Sequence, residues 1–262
     1  MSPRVELTLG YQPDQPGLAG ISPVCHWHRR ACQGHNWRGL ADLAVPVLAS
    51  FTSVEEAVVL MVLPSIAANG WLVITHRKWA VLRDHRAFLL LGLAGGVTGT
   101  WLLSILDDHW LKLILAIWLG VYLLQYFSRR SYDQYFSGRG KLGPLLGAAA
   151  GTIQGASGIS APIVAPYFHA NGLVRETYAF ATAFTFLFFS GAQVGTMLEL
   201  GLLTPERLTI GLIVVIPTLL FTQLGIRLSR SVSERAFHNI LVALFAAMEL
   251  KLVFDIVRSM SA

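Results

Sequence analysis

The chain has 262 residues, of which 13% are charged, against about 25% in a typical soluble domain. Together with a hydrophobic share of 54% and a mean hydropathy of +0.56, this excludes a soluble globular enzyme and indicates an all-α membrane protein. The net charge of +5 does not imply a nucleic-acid partner, because the basic residues fall in short loops between apolar stretches; the bilayer itself is the expected partner.

In chain order, residues 1–38 form an atypical polar N-terminal segment. It lacks an apolar run followed by a small-residue cleavage site, so no signal peptide is expected. Cys25, His26, His28, Cys32 and His35 cluster there, but their spacing fits no zinc pattern, and neither a metal nor a cofactor is expected. Stretches able to cross a bilayer follow at 55–75, 87–106, 111–127, 177–198, 208–226 and 236–258, each near the roughly 20 residues that a spanning helix needs. Arg77, Lys78, Arg83 and Arg86 fill one loop, Arg129, Arg130, Arg139 and Lys141 a second, and Arg227, Arg230 and Arg235 a third. The loop at 107–110 carries Asp107 and Asp108, and the loop at 199–207 only Arg207 as a basic residue. The positive-inside rule places the three basic loops in the cytoplasm and the other two outside.

Residues 142–168 are apolar but broken. Glycine and proline both penalise a helix interior, and Gln154-Gly-Ala-Ser-Gly-Ile-Ser-Ala-Pro162 contains both. The loop charges require this segment to begin and end on the cytoplasmic side. Two full crossings would need about 40 residues, more than the segment has. It is therefore expected to dip in and return as two half-helices that meet near Ser157, the second starting near Ser160.

An earlier stretch has the same pattern. With Pro46 aligned on Pro166, residues 45–60 lie over 165–180, and the next spans start at 87 and 208. Span 55–75 runs inward where 177–198 runs outward. The expectation is an inverted repeat, each copy a broken segment plus three transmembrane helices: 39–127, a cytoplasmic linker at 128–141, and 142–258. Such repeats are common in secondary transporters, with the substrate at the repeat interface near the midplane. Residues 22–40 should then mirror the apolar first half-helix. They are too polar to insert, so that half-helix is missing from the first copy, and the N-terminal segment is expected not to be a faithful copy of the functional gene product.

Backbone broken at membrane depth persists only where it is buried in protein or lines a cavity. The candidate substrate site is therefore Gln154, Gly155, Ser157, Gly158, Ser160 and Pro162. The free N–H groups of the second half-helix favour an anion, and the serine hydroxyls and the Gln154 amide add donors. The competing reading is a glycine-rich kink used for helix packing. Asn69 and Gln193, each the one amide in its span, are second-rank site candidates, though such a group commonly bonds two helices together. In the last span, Glu249, Lys251 and Asp255 are read as lying towards the outer end and snorkelling. Glu249 is the residue through which proton coupling would run.

Residues 151–173 (GTIQGASGISAPIVAPYFHANGL), 44–51 (AVPVLASF), 63–71 (LPSIAANGW) and 222–237 (TQLGIRLSRSVSERAF) resemble the TauE/SafE family of membrane transporters, which export sulfite and organosulfonates. The resemblance covers about residues 40–258. The chain departs from the family where the first repeat normally opens with an apolar, glycine-rich segment. The resemblance implies a carrier of small anions, sulfur-containing or carboxylated, in the bacterial inner membrane, with no catalytic residue. An alternative is an intramembrane serine protease of rhomboid type using Ser157, for which Gly155-Ala-Ser-Gly158 supplies the string but no histidine is well placed as the base. A small-anion channel is the third reading.

Overall fold

The computed structural model describes residues 44–127, 142–231 and 234–260. The N-terminal cysteine–histidine cluster and the basic linker at 128–141 lie outside the described residues. Among the described residues every regular element is helical. A short helix α1 (Ala44–Ala49) leads to α2 (Val54–His76), a 3₁₀ turn (Trp79–His85), α3 (Arg86–Ile105) and α4 (Asp108–Phe127). A pair of half-helices follows, α5 (Gly143–Ser157) and α6 (Ala161–Ala170), and then α7 (Arg175–Glu199), α8 (Pro205–Ser231) and α9 (Glu234–Met260). Each of the six apolar stretches is thus a helix, and the 142–168 segment is two. Val54–His76, the continuous stretch Trp79–Ile105 and Glu176–Glu199 are long and apolar enough to cross a membrane. The protein is an all-α membrane protein.

Local chemistry sets several boundaries. Ser53 caps α2, its hydroxyl accepting from the Glu56 N–H at 3.2 Å, and Glu55 and Glu56 occupy the first turn, where negative charge suits the helix dipole. The Val54 N–H donates to Asp108 Oδ1 at 2.7 Å, and Arg207 reaches Glu55 at 2.9 Å. The starts of α2, α4 and α8 therefore share one end of the molecule. At the other end Lys78 pairs with Glu176 at 3.4 Å, joining the 3₁₀ turn to the start of α7. These exposed and half-exposed pairs contribute at most about 1 kcal/mol each; what they mark is which helix ends lie together.

Among the described residues the closest helix packing is α5 against α3. A Cβ on Gly147 would lie 2.1 Å from the Phe88 carbonyl oxygen, one on Gly151 1.8 Å from that of Gly92, and one on Gly155 2.5 Å from that of Gly96. From the other side, a Cβ on Gly99 would lie 2.0 Å from the Thr152 oxygen. No side chain fits between the two backbones. Both ladders advance four residues at a time in the same direction, so the helices are parallel. This is the small-residue packing that lets membrane helices approach closely.

The second half-helix doubles back. Tyr167, near the end of α6, stacks on Phe88 with ring centroids 4.0 Å apart and planes at 8°. Phe88 also meets Gly147 near the start of α5, so the hairpin ends beside the place where it began. Its return is fastened by the Tyr167 hydroxyl, which shares a 2.9 Å hydrogen bond with His85 Nδ1; both residues are buried. Tyr167→Phe leaves a buried ring nitrogen unpaired, and is expected to cost about 1–3 kcal/mol. Thermal unfolding in detergent measures this, and an unchanged midpoint would show that the bond does not hold the hairpin.

Candidate functional site

The break between α5 and α6 is built by three residues. Gly158 takes the left-handed conformation, φ 74°, and its N–H donates to the Gln154 carbonyl at 2.8 Å, a common helix ending for glycine because it has no Cβ to clash. Ile159 and Ser160 are non-helical. Helix α6 then starts at Ala161 with Pro162 in its first turn, where the missing proline N–H is not needed. The N–H groups of Ile163 and Val164 both return to the Ser160 carbonyl at 3.0 Å. The backbone N–H groups of Ile159, Ser160 and Ala161 have no acceptor among the described residues. They are consecutive, Ile159 and Ser160 are buried, and they sit at the positive end of a ten-residue helix. Free amides at a helix start form an anion-binding concavity.

Polar side chains gather around these amides. The Ser160 hydroxyl donates to Gln154 Oε1 at 2.8 Å, which orients the Gln154 amide across the break and leaves its Nε2 with no acceptor among the described residues. Gln193 of α7 donates from Nε2 to the Gly155 carbonyl at 3.2 Å and to that of Gln154 at 3.4 Å. It thereby satisfies the Gly155 carbonyl at the end of α5 and adds a second donor to the Gln154 carbonyl already bonded by Gly158. Gln154, Ser157, Ser160 and Gln193 are all at most 4% exposed.

The sequence-selected residues thus divide by role. Gly158 and Ser160 lie in the break and Gln154, Ser157 and Pro162 on the helix ends that flank it, and Gln193 is brought to it from a distant helix. Gly155 packs against α3, with the Thr100 amide nitrogen 2.6 Å from where its Cβ would be. The Ser157 hydroxyl donates to the Ile153 carbonyl at 2.8 Å, so towards a ligand it presents lone pairs rather than its proton. Asn69 is not brought to the break: its amide donates to the carbonyl and hydroxyl of Ser65, one turn back on its own helix, at 2.9 and 3.3 Å.

Ser190 was not singled out by the sequence. Its hydroxyl is fully buried with no hydrogen-bond partner, and it lies one turn before Gln193 on the same side of α7. That i, i+3 spacing on a predicted spanning helix was the available signal, and it gains meaning only once Gln193 has a destination. From the opposite side, the methyls of Val45 in α1 lie 3.2 and 3.7 Å from where a Gly158 Cβ would be, so α1 closes over the break.

The arrangement offers hydrogen-bond donors and a positive helix end. It holds no activated nucleophile: Ser157 bonds to its own helix and makes no hydrogen bond to a histidine among the described residues. Fold and site together define a membrane protein that presents a broken helix start inside its own core. A family model described as sulfite exporter TauE/SafE matches residues 38–252, and the chain belongs to that family. It is accordingly a membrane transporter of small anions and not an enzyme, and nothing supports the rhomboid reading. No curated protein and no solved structure matches the chain.

Proposed function

We propose that the protein is a multi-pass secondary transporter that exports small anions such as sulfite, organosulfonates or related organic acids across the bacterial inner membrane, binding them at the break between α5 and α6. The observation that carries this reading is the run of three amides, Ile159 to Ala161, that find no acceptor among the described residues at the start of α6. An anion with several oxygens can accept from these amides and from Gln154 Nε2 at once, as a planar carboxylate or a pyramidal sulfite both can. In this reading α1–α4 and α5–α9 are the two copies of an inverted repeat. Val45 of α1 meeting Gly158 supports it, because paired half-helices facing each other at the repeat interface are how such transporters build their sites.

The test is anion efflux from preloaded proteoliposomes. Gln154→Ala removes a donor amide and releases Ser160, while Ser157→Ala removes an acceptor and a local backbone bond. A hydrogen bond to a charged group contributes about 1.5–3 kcal/mol, so Gln154→Ala is expected to weaken apparent anion affinity by about tenfold or more, given about 1.4 kcal/mol per decade. Ser157→Ala removes no donor to the anion, because that proton already goes to the Ile153 carbonyl, and is expected to leave the affinity within a few-fold of the parent's. Both variants should insert and purify like the parent. Unchanged transport by Gln154→Ala would remove the site from the break.

A further inference from the structure

Helix α9 spans Glu234–Met260, and Glu249 lies on it two residues before Lys251 and six before Asp255. Those two form an ion pair. Lys251 and Asp255 lie 3.2 Å apart and are partly exposed, and Lys251 also donates to the Ser50 carbonyl and sits 5.2 Å from the centre of the Phe51 ring. Glu249 is different. Its Oε2 is buried and has no hydrogen-bond partner. Its Oε1 would lie 3.5 Å from a Cβ on Gly120, so the carboxyl packs against α4 at a position where that helix has no side chain.

Among the described residues no cation reaches it. On its own helix Lys251 is engaged by Asp255 and Ser50. On α4, Asp108, His109 and Lys112 lie near the start, and Lys112 is paired with Asp108 at 2.8 Å; Lys112 is about 12 Å along the helix from Gly120 at 1.5 Å per residue. Near the α1–α2 corner that Lys251 touches, Glu55 is taken by Arg207. On the same part of α4, Trp118 Nε1 is buried and also without a partner among the described residues. An ionised carboxylate in such a place costs several kcal/mol, and ionisable groups inside a membrane helix bundle mark ion and proton pathways.

We infer that Glu249 is the proton-binding site of the transport cycle, carrying a proton in the packed arrangement of α4 and α9 and releasing it when these helices part. The inference rests on the transporter reading and adds its coupling ion. The chemistry is a carboxylic acid losing one proton to water on one side of the membrane and, as carboxylate, regaining one from the other side while the anion crosses at the break.

Two measurements test it on the full chain. In proteoliposomes the parent should accumulate sulfite or a simple carboxylate in response to an imposed pH gradient. Glu249→Gln mimics the protonated acid, so it should keep anion exchange at equal pH while its pH-driven accumulation falls to the level seen without a gradient. Gradient-driven accumulation by Glu249→Gln equal to the parent's overturns the assignment. Infrared difference spectra of the purified protein give a readout independent of any anion: the parent should show the carbonyl band of a protonated carboxyl near neutral pH, absent in Glu249→Gln. If the band is missing in the parent, Glu249 holds no proton and the inference fails. If the band is present and the parent moves none of the anions, the anion reading fails instead.

Discussion

Gly151→Ala is expected to lower stability by about 3 kcal/mol or more, at the upper end of what a single added methyl costs in a tightly packed core. The new Cβ would stand 1.8 Å from the Gly92 carbonyl oxygen and 2.6 Å from its carbon. Both are backbone atoms, with no rotamer to move, so the two helices must separate. Separation breaks the whole parallel contact between α3 and α5, because Gly147 and Gly155 rest on the same ladder one turn to either side. The comparison that isolates this effect is Gly191→Ala in α7, where an added Cβ meets nothing within 4 Å. There alanine is expected to stabilise by a few tenths of a kcal/mol up to about 1, since it is the better helix former. Thermal unfolding of the two variants in one detergent should therefore move in opposite directions. Equal midpoints would mean that α3 and α5 do not touch as described.

Gly158→Leu is expected to abolish transport while leaving insertion intact. At φ 74° any side chain costs about 1–2 kcal/mol, and a leucine must place its outer carbons among Val45 and Val58, which already lie within 3.2–3.7 Å of the Cβ position. Those carbons enter the space between α1 and the break, next to the free amides. Gly158→Asn is the graded control, because asparagine tolerates the left-handed conformation; it should retain intermediate efflux. Gly172→Ala separates strain from obstruction, since it carries the same kind of backbone, φ 72°, with nothing within 4 Å. It should lose stability and keep transport. Wild-type efflux from Gly158→Leu would show that the anion path avoids the break.

Much of this architecture is written locally in the chain. The six apolar stretches are helices because each is long enough and apolar enough on its own, and the break at Gly158–Ser160 follows from where glycine and proline forbid helix. Even the start of α6 was legible, since Pro162 suits a first turn and little else in a helix. Ser157 was harder to read. A serine at the end of a half-helix looks like a donor aimed into the site, yet its proton goes back to Ile153, the local alternative always open to a helical serine. Asn69 shows the same limit, being answered by Ser65 one turn away. Glu249 reads from the sequence as one of three charged neighbours, whereas its packing on Gly120 sets it apart from the Lys251–Asp255 pair.

By itself the sequence determined the class of protein, the order of its helices and the place where one of them breaks, because hydrophobic length, loop charge and backbone propensity act over a few residues at a time. The tertiary structure alone decided which groups face one another across long stretches of chain: α5 on α3 through paired glycines, Gln193 on the carbonyls of Gln154 and Gly155, Tyr167 on His85, and Glu249 on Gly120. Those pairings depend on how close two backbones can come and which polar atoms are left without partners once they do, and no local pattern carries that information.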